Sequence, residues 1–148
     1  MPSVVVDTTV LISGFLTPEG VSADLLERTR AGAFTLCLSY EIIEELRSRL
    51  LHRRRIRRNY LYTDERVHQY CRDLETTSRL ITTLPEVRVV ARDPNDDMVI
   101  ASALRAGADY IVTRDKDLLS LGAHAGIRIV TPRQFLDLLE SSGSSERT

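Results

Sequence analysis

Short apolar runs alternate along this chain with stretches of helical period, and that alternation constrains the fold more than any other feature of the sequence. Val4-Val5-Val6 is a continuous apolar run suited to a strand buried on both faces. A helical pattern follows through Val10, Leu11 and Phe15 and breaks near Pro18. The periodicity predicts a helix over 22–30 stopped by Gly32, a strand over 34–38, and a helix from Tyr40 to about Leu51 capped by Ser39. The pattern weakens over 52–62, and Thr63 or Asp64 then caps a helix reaching about Thr77. Either 80–83 or 87–90 supplies the next strand, and the pattern alone does not choose between them. Asp93-Pro94-Asn95-Asp96-Asp97 opens a helix ending at Gly107. A strand over 110–113, a short helix near Leu118, a strand over 127–130 and a helix over 132–139 complete the series. Strands separated by helices imply right-handed βαβ crossovers and therefore a parallel α/β sheet.

With 148 residues there is enough chain for one ordinary core and too little for two. Residues 1–140 are expected to form one domain, and the Ser/Gly-rich stretch 141–148, which has nothing to bury, a mobile tail. No apolar run approaches the roughly 20 residues that cross a bilayer, which argues against a membrane partner. Met1-Pro2-Ser3 leads straight into a strand without the basic and apolar regions of a secretory signal, so a cytoplasmic location is expected. Cys37 and Cys71 lack metal-type spacing and read as reduced core thiols.

The carboxylates carry the chemistry. Val4-Val5-Val6 runs directly into Asp7, and Tyr110-Ile111-Val112 runs into Thr113-Arg114-Asp115. In an open parallel sheet, ligands gather beyond the carboxyl ends of the strands where strand order reverses, so these two acids are expected in one crevice. Asp7 is hard to explain as an ordinary acid, because a carboxylate directly after a fully apolar strand needs a partner. Asp93 and Asp96 have ready roles as N-cap and first-turn acid, and Asp115 and Asp117 can serve the following helix in the same way. A helical wheel does not separate Asp96 from Asp97, since each neighbours apolar residues one turn on. In the helix after Ser39, Glu45 lies about 115° from the centre of the stripe formed by Ile42, Ile43, Leu46 and Leu50, closer than Glu41 or Glu44. Glu45 is thus the glutamate best able to look over the sheet edge.

Two carboxylates 4 Å apart repel by about 4 kcal/mol at an effective dielectric near 20, so several converging ones require cations or protons. A donor set made only of oxygen suits Mg²⁺ or Mn²⁺, one or two ions per site. Such ions commonly complete their shell with phosphate, which points to phosphodiester hydrolysis. Net charge is only -1, yet residues 47–58 hold seven arginines and no acid. Within them Arg53, Arg54 and Arg55 form a run that suits an RNA backbone, with a solvated helix end as the plainer alternative.

At these residues the chain resembles the PIN-domain family, and most closely its VapC-like toxin ribonucleases. The likeness lies in VVVDTTVLISGF at 4–15, SYEIIEEL at 39–46, DPNDDMVIASALRAGADYIVTRDKDLL at 93–119 and IRIVTPRQFLDLL at 127–139. It implies Asp7, Glu45, Asp97 and Asp115 as the catalytic acids, with metal held by Asp7, Asp97 and Asp115. Asp97 is preferred to Asp96 because the family's third acid precedes an Ile-Ala pair by three and four residues, here Ile100 and Ala101. Thr9, Thr113, Asp117, Asp93 and Asp96 are implied as accessory groups; Thr9 stands where the family more often has Asn or Ser. The resemblance further implies a three-layer α/β/α sandwich around a five-stranded parallel sheet, a magnesium-dependent endoribonuclease acting on RNA, a homodimer, and a small antitoxin as partner.

Other readings compete. A role in RNA processing or repair uses the same cleavage chemistry. Asp7 and Thr113 also suit a receiver-like or HAD-like phosphoryl module. Against these, Asp7-Thr8-Thr9-Val10 lacks the second aspartate of a HAD site, and Thr131-Pro132-Arg133 stands where a receiver has lysine. A non-catalytic binding domain would not require the full set of acids.

Overall fold

The computed structural model describes residues 1–86 and 94–146, with side chains as far as residue 141. The candidate strand at 87–90 and Asp93 lie outside the described residues. In chain order the elements are β1 (Ser3–Val6), α1 (Thr8–Leu16), α2 (Val21–Arg30), β2 (Thr35–Ser39), α3 (Tyr40–His52), α4 (Arg54–Asn59) and α5 (Asp64–Thr77). They continue as β3 (Arg79–Ile81), α6 (Pro94–Ala106), β4 (Tyr110–Val112), α7 (Lys116–Leu121), β5 (Ala123–His124), β6 (Ile127–Val130) and α8 (Pro132–Glu146).

The strands form one sheet in the order β3-β2-β1-β4-β6-β5. Strands β3, β2, β1, β4 and β6 pair in parallel, as the βαβ pattern predicts, and Arg79–Ile81 is the run that joins β2. A sixth, two-residue strand, β5, lies antiparallel on the β6 edge and corrects the expectation of five. Ala125 and Gly126 make its turn with φ of 51° and 82°, the left-handed values of a tight hairpin. An alanine in that conformation carries none of the usual Asn-Gly or Asp-Gly signature, so the strand left no sequence signal.

Val4, Val5 and Val6 have no exposed surface, although successive side chains of a strand point to opposite faces. Helices therefore cover both sides of the sheet, giving the α/β/α sandwich. On one side Phe34 and Phe135 meet edge to face at 5.1 Å and Tyr110 lies 5.3 Å from Phe135, which fastens α8 to the strands. α8 runs to Glu146, past the expected end at Leu139, although the serines and Gly143 are poor helix formers.

α3 and α5 run antiparallel. Arg47 on α3 bonds Glu75 of α5 at 3.5 Å, while further along Leu50 accepts from the Tyr62 hydroxyl at 2.6 Å. α4 caps this hairpin, in the segment where the helical pattern weakened. Arg57 holds the turn: it donates to the carbonyls of Leu51 and Tyr62, pairs with Asp64 at 2.7 Å and stacks 4.8 Å from the Tyr62 ring. α1 packs closely on α2 at Gly14, where a Cβ would lie 2.7 Å from Leu26 Cδ1. Cys37 and Cys71 are buried free thiols.

Candidate functional site

The sheet order reverses between β1 and β4: from β1 the chain goes to β2 on one side and returns through α6 to β4 on the other. Asp7 follows β1 and Asp115 follows β4 by three residues, so both stand at the switch point, as the sequence predicts.

Asp7 occupies the N-cap position of α1 with extended backbone, yet its side chain makes no capping bond. Its Oδ2 instead accepts from the hydroxyls of Thr113 at 2.6 Å and Thr9 at 3.0 Å. Thr113 Oγ1 in turn accepts from the Asp115 N–H at 2.9 Å, so one buried hydroxyl links the first and fourth acids. Burial pushes the Asp7 carboxyl above its ordinary value; the Thr113 and Thr9 hydroxyls and the Thr8 backbone oppose the shift, and the charge of Asp115 adds to it.

Asp115 does cap a helix. Its Oδ1 accepts from the N–H groups of Asp117 at 2.9 Å and Leu118 at 3.0 Å, which orients it at the mouth of the crevice. Asp96, Asp115 and Asp117 each bring a carboxylate oxygen within 4.8 Å of the others. Asp96 is only 4% exposed, whereas Asp97, its neighbour, is half-buried and stands outside this trio. The helix explains the difference. Measured from the buried stripe of Val99, Ile100, Ala103 and Ala106, Asp96 lies about 30° from the centre and Asp97 about 130°. Asp97 instead continues toward Leu104, which is 36% exposed.

Glu45 reaches the same region from α3. Its Oε1 accepts from Arg49 Nε at 2.5 Å and from Asn95 Nδ2 at 3.4 Å, and Asn95 lies in the first turn of α6 beside Asp96. Neither Arg49 nor Asn95 was singled out from the sequence, although the i, i+4 spacing of Glu45 and Arg49 is the signal for such a pair. Arg53, Arg54 and Arg55 are exposed at the tip of the α3–α5 hairpin and join no ion pair among the described residues.

This arrangement meets what a hard divalent cation needs: several carboxylate oxygens in reach of one point, one of them on a buried side chain, with no nitrogen or sulfur ligand among them. The PIN domain family profile matches residues 3–117. The chain belongs to the PIN domain family. PIN domains are generally metal-dependent nucleases, and the trio of acids in this one is a group that can hold a metal. The domain is 27% identical over 145 residues to the uncharacterized protein MJ1680 of Methanocaldococcus jannaschii, covering 93% of this chain and 91% of that protein. Its fold resembles the crystal structure of PAE2754 from Pyrobaculum aerophilum, with a TM-score of 0.63 at 16% identity over 95% of this chain and 90% of the other. A domain of a functionally unknown protein from Methanocaldococcus jannaschii gives 0.55 at 18% identity over 88% and 91%. Among the described residues no helix of this PIN domain is long and apolar enough to cross a membrane.

Proposed function

We propose that this PIN domain is a Mg²⁺- or Mn²⁺-dependent endoribonuclease that hydrolyses RNA phosphodiester bonds. The observation that carries the reading is the meeting of Asp96, Asp115 and Asp117 at the switch point, joined to Asp7 through Thr113. Asp7, Asp96 and Asp115 are the proposed metal ligands, with Asp117 beside them. Asp96 takes the place that the resemblance gave to Asp97, because it is the residue turned toward the other acids. A divalent ion bound there supplies positive charge that relieves the repulsion among the acids and polarises a phosphodiester for attack by water. Thr113 and Thr9 hold the Asp7 carboxylate in place, and Arg49 and Asn95 hold Glu45 at the edge of the site. Hydrolysis forms a bond from water oxygen to phosphorus and breaks the bond to the leaving ribose oxygen, which takes up a proton.

The toxin role follows the motif resemblance, and with it a small antitoxin partner, a homodimer and a cytoplasmic site of action. On this reading Arg53, Arg54 and Arg55 contact RNA phosphates. The test is cleavage of a labelled single-stranded RNA with Mn²⁺ by the wild type and by Asp96→Asn, Asp97→Asn and Asp115→Asn. Asp96→Asn and Asp115→Asn are expected to lose activity by a hundredfold or more with the fold retained, and Asp97→Asn to keep most of it. Loss confined to Asp97→Asn would return the third acid to that position. Cleavage that persists in EDTA would remove the metal-dependent reading.

A further inference from the structure

A second feature lies on the same edge of the sheet, on the β6 side of the switch point. A cleft of about 570 Å³ opens there between the end of α1, the start of α2 and the segments that leave β4 and β6. Its wall includes Ser13, Thr17, Arg114, Thr131 and Arg133, and among the described residues no carboxylate lines it. Arg114 donates to Ser13 Oγ at 3.0 Å, and neither Arg114 nor Arg133 is in an ion pair among the described residues. Arg28, Arg30, Arg47, Arg49 and Arg57 by contrast all have acidic partners. The amino end of α2, whose cap residue Gly20 offers no side-chain acceptor, forms another part of the wall and favours negative charge.

Thr113, Arg114 and Asp115 are consecutive. A single segment thus carries the hydroxyl that holds Asp7, a guanidinium in the cleft and an acid of the proposed metal site, with the Cα atoms of Arg114 and Asp115 about 3.8 Å apart. A guanidinium fork is matched to phosphate oxygens, and two of them with hydroxyl donors in a cleft free of acids form a receptor for a phosphodiester. We infer that the cleft walled by Arg114 and Arg133 binds a backbone phosphate of the RNA strand next to the bond cleaved at Asp115. This rests on the endoribonuclease reading and adds to it the path of the strand, which leaves the acids toward α2 and α8.

The test measures binding of a fluorescent single-stranded oligoribonucleotide to the full chain in EDTA, where no cleavage occurs, as NaCl is raised. In the double variant R114Q/R133Q the plot of log affinity against log salt is expected to be shallower by about 0.7, the share of the one phosphate no longer neutralised. R133Q alone, which removes an exposed side chain that forms no hydrogen bond or ion pair among the described residues, is expected to give about half of that change. R114K/R133K, which keeps the charges, should recover most of the slope. Calorimetric Mn²⁺ binding should be unchanged in all three. Parental slope and affinity in R114Q/R133Q and R133Q overturn the cleft assignment while leaving the nuclease reading intact. Failure of the parent chain to bind RNA overturns both.

Discussion

Asp7 joins the structure to its chemistry at the level of a single residue. It follows Val4, Val5 and Val6, which have no exposed surface, keeps only 5% of its own surface, and spends its Oδ2 on two threonine hydroxyls. Burial and the nearby Asp115 raise its carboxyl above the ordinary value, so the folded chain binds the proton more tightly than the unfolded chain does. The stability from that group is complete below the ordinary carboxyl range and is lost as pH rises through the folded value. In EDTA, Asp7→Asn is therefore expected to be more stable than wild type at pH 7, with the advantage vanishing near pH 3. Urea unfolding at both pH values checks this; a variant less stable at pH 7 would contradict it. Thr113 is the other pivotal residue. It is fully buried, and Thr113→Val should cost about 1–3 kcal/mol by taking one of two hydroxyl donors from the Asp7 carboxylate and the acceptor from the Asp115 N–H, again read from urea unfolding.

Besides Asp7 at the end of β1, three helices carry acids toward the crevice, and each is anchored by a polar contact at its end. Ser39, at the end of β2, accepts from Ile42 N–H at 3.1 Å and caps α3, which carries Glu45. The hydroxyl of Ser102 on α6 also meets Ser39 at 2.8 Å, so one buried serine sets both the Glu45 helix and the Asp96 helix. Ser39→Ala should lower stability by about 1–2 kcal/mol with an unchanged denaturant slope, seen as a shift of the urea midpoint alone. At the opposite end of α6, Arg79 from β3 donates to the carbonyl of Ala106, satisfying a C-terminal acceptor with a favourable charge. Asp115 starts α7 in the same way that Ser39 starts α3. Capping and acid placement are thus one structural device, and an ordinary helix-start role for Asp115 coexists with its position in the trio.

For the molecule as a whole, the site is a concentration of negative charge on a nearly neutral chain. Asp96, Asp115 and Asp117 within 4.8 Å oppose one another, and the folded state alone assembles them. A divalent ion that binds only the folded chain adds RT ln(1 + [L]/Kd) to its stability, about 2.7 kcal/mol at a concentration a hundredfold over Kd. For a chain of this size that is a rise in Tm of roughly 5–10 °C. Calorimetric melting with and without saturating Mn²⁺ is expected to show this rise, with reversal by EDTA and most of it absent in Asp115→Asn. An unchanged Tm at saturating Mn²⁺ would contradict the assembled site. Arg53, Arg54 and Arg55 lie at the tip of the α3–α5 hairpin and Arg114 and Arg133 line the cleft beside α2, while Arg49 pairs with Glu45 at the site itself.

Much of this was already written in the order of residues. Three-residue apolar runs, helix starts at Ser39, Thr63 and Asp115, an acid directly after β1 and another three residues after β4 follow from side-chain period and capping chemistry, which act over a few residues and are visible locally. Asp7 stood out from its place directly after an apolar strand, whereas Thr113 was implied as an accessory group by the family resemblance. The choice between Asp96 and Asp97 was different. One residue is a rotation of about 100° around α6, and both rotations meet apolar neighbours, so the face toward the acids depended on how α6 lies on the sheet and on Leu104 being left at the surface. The pairing of Glu45 with Arg49 and Asn95, the hairpin that adds β5, and the joining of Arg114 and Arg133 across one cleft were likewise decided by tertiary structure. Each depends on residues far apart in the chain or on a turn conformation that its residue types do not announce, because long-range packing selects among local states of nearly equal energy.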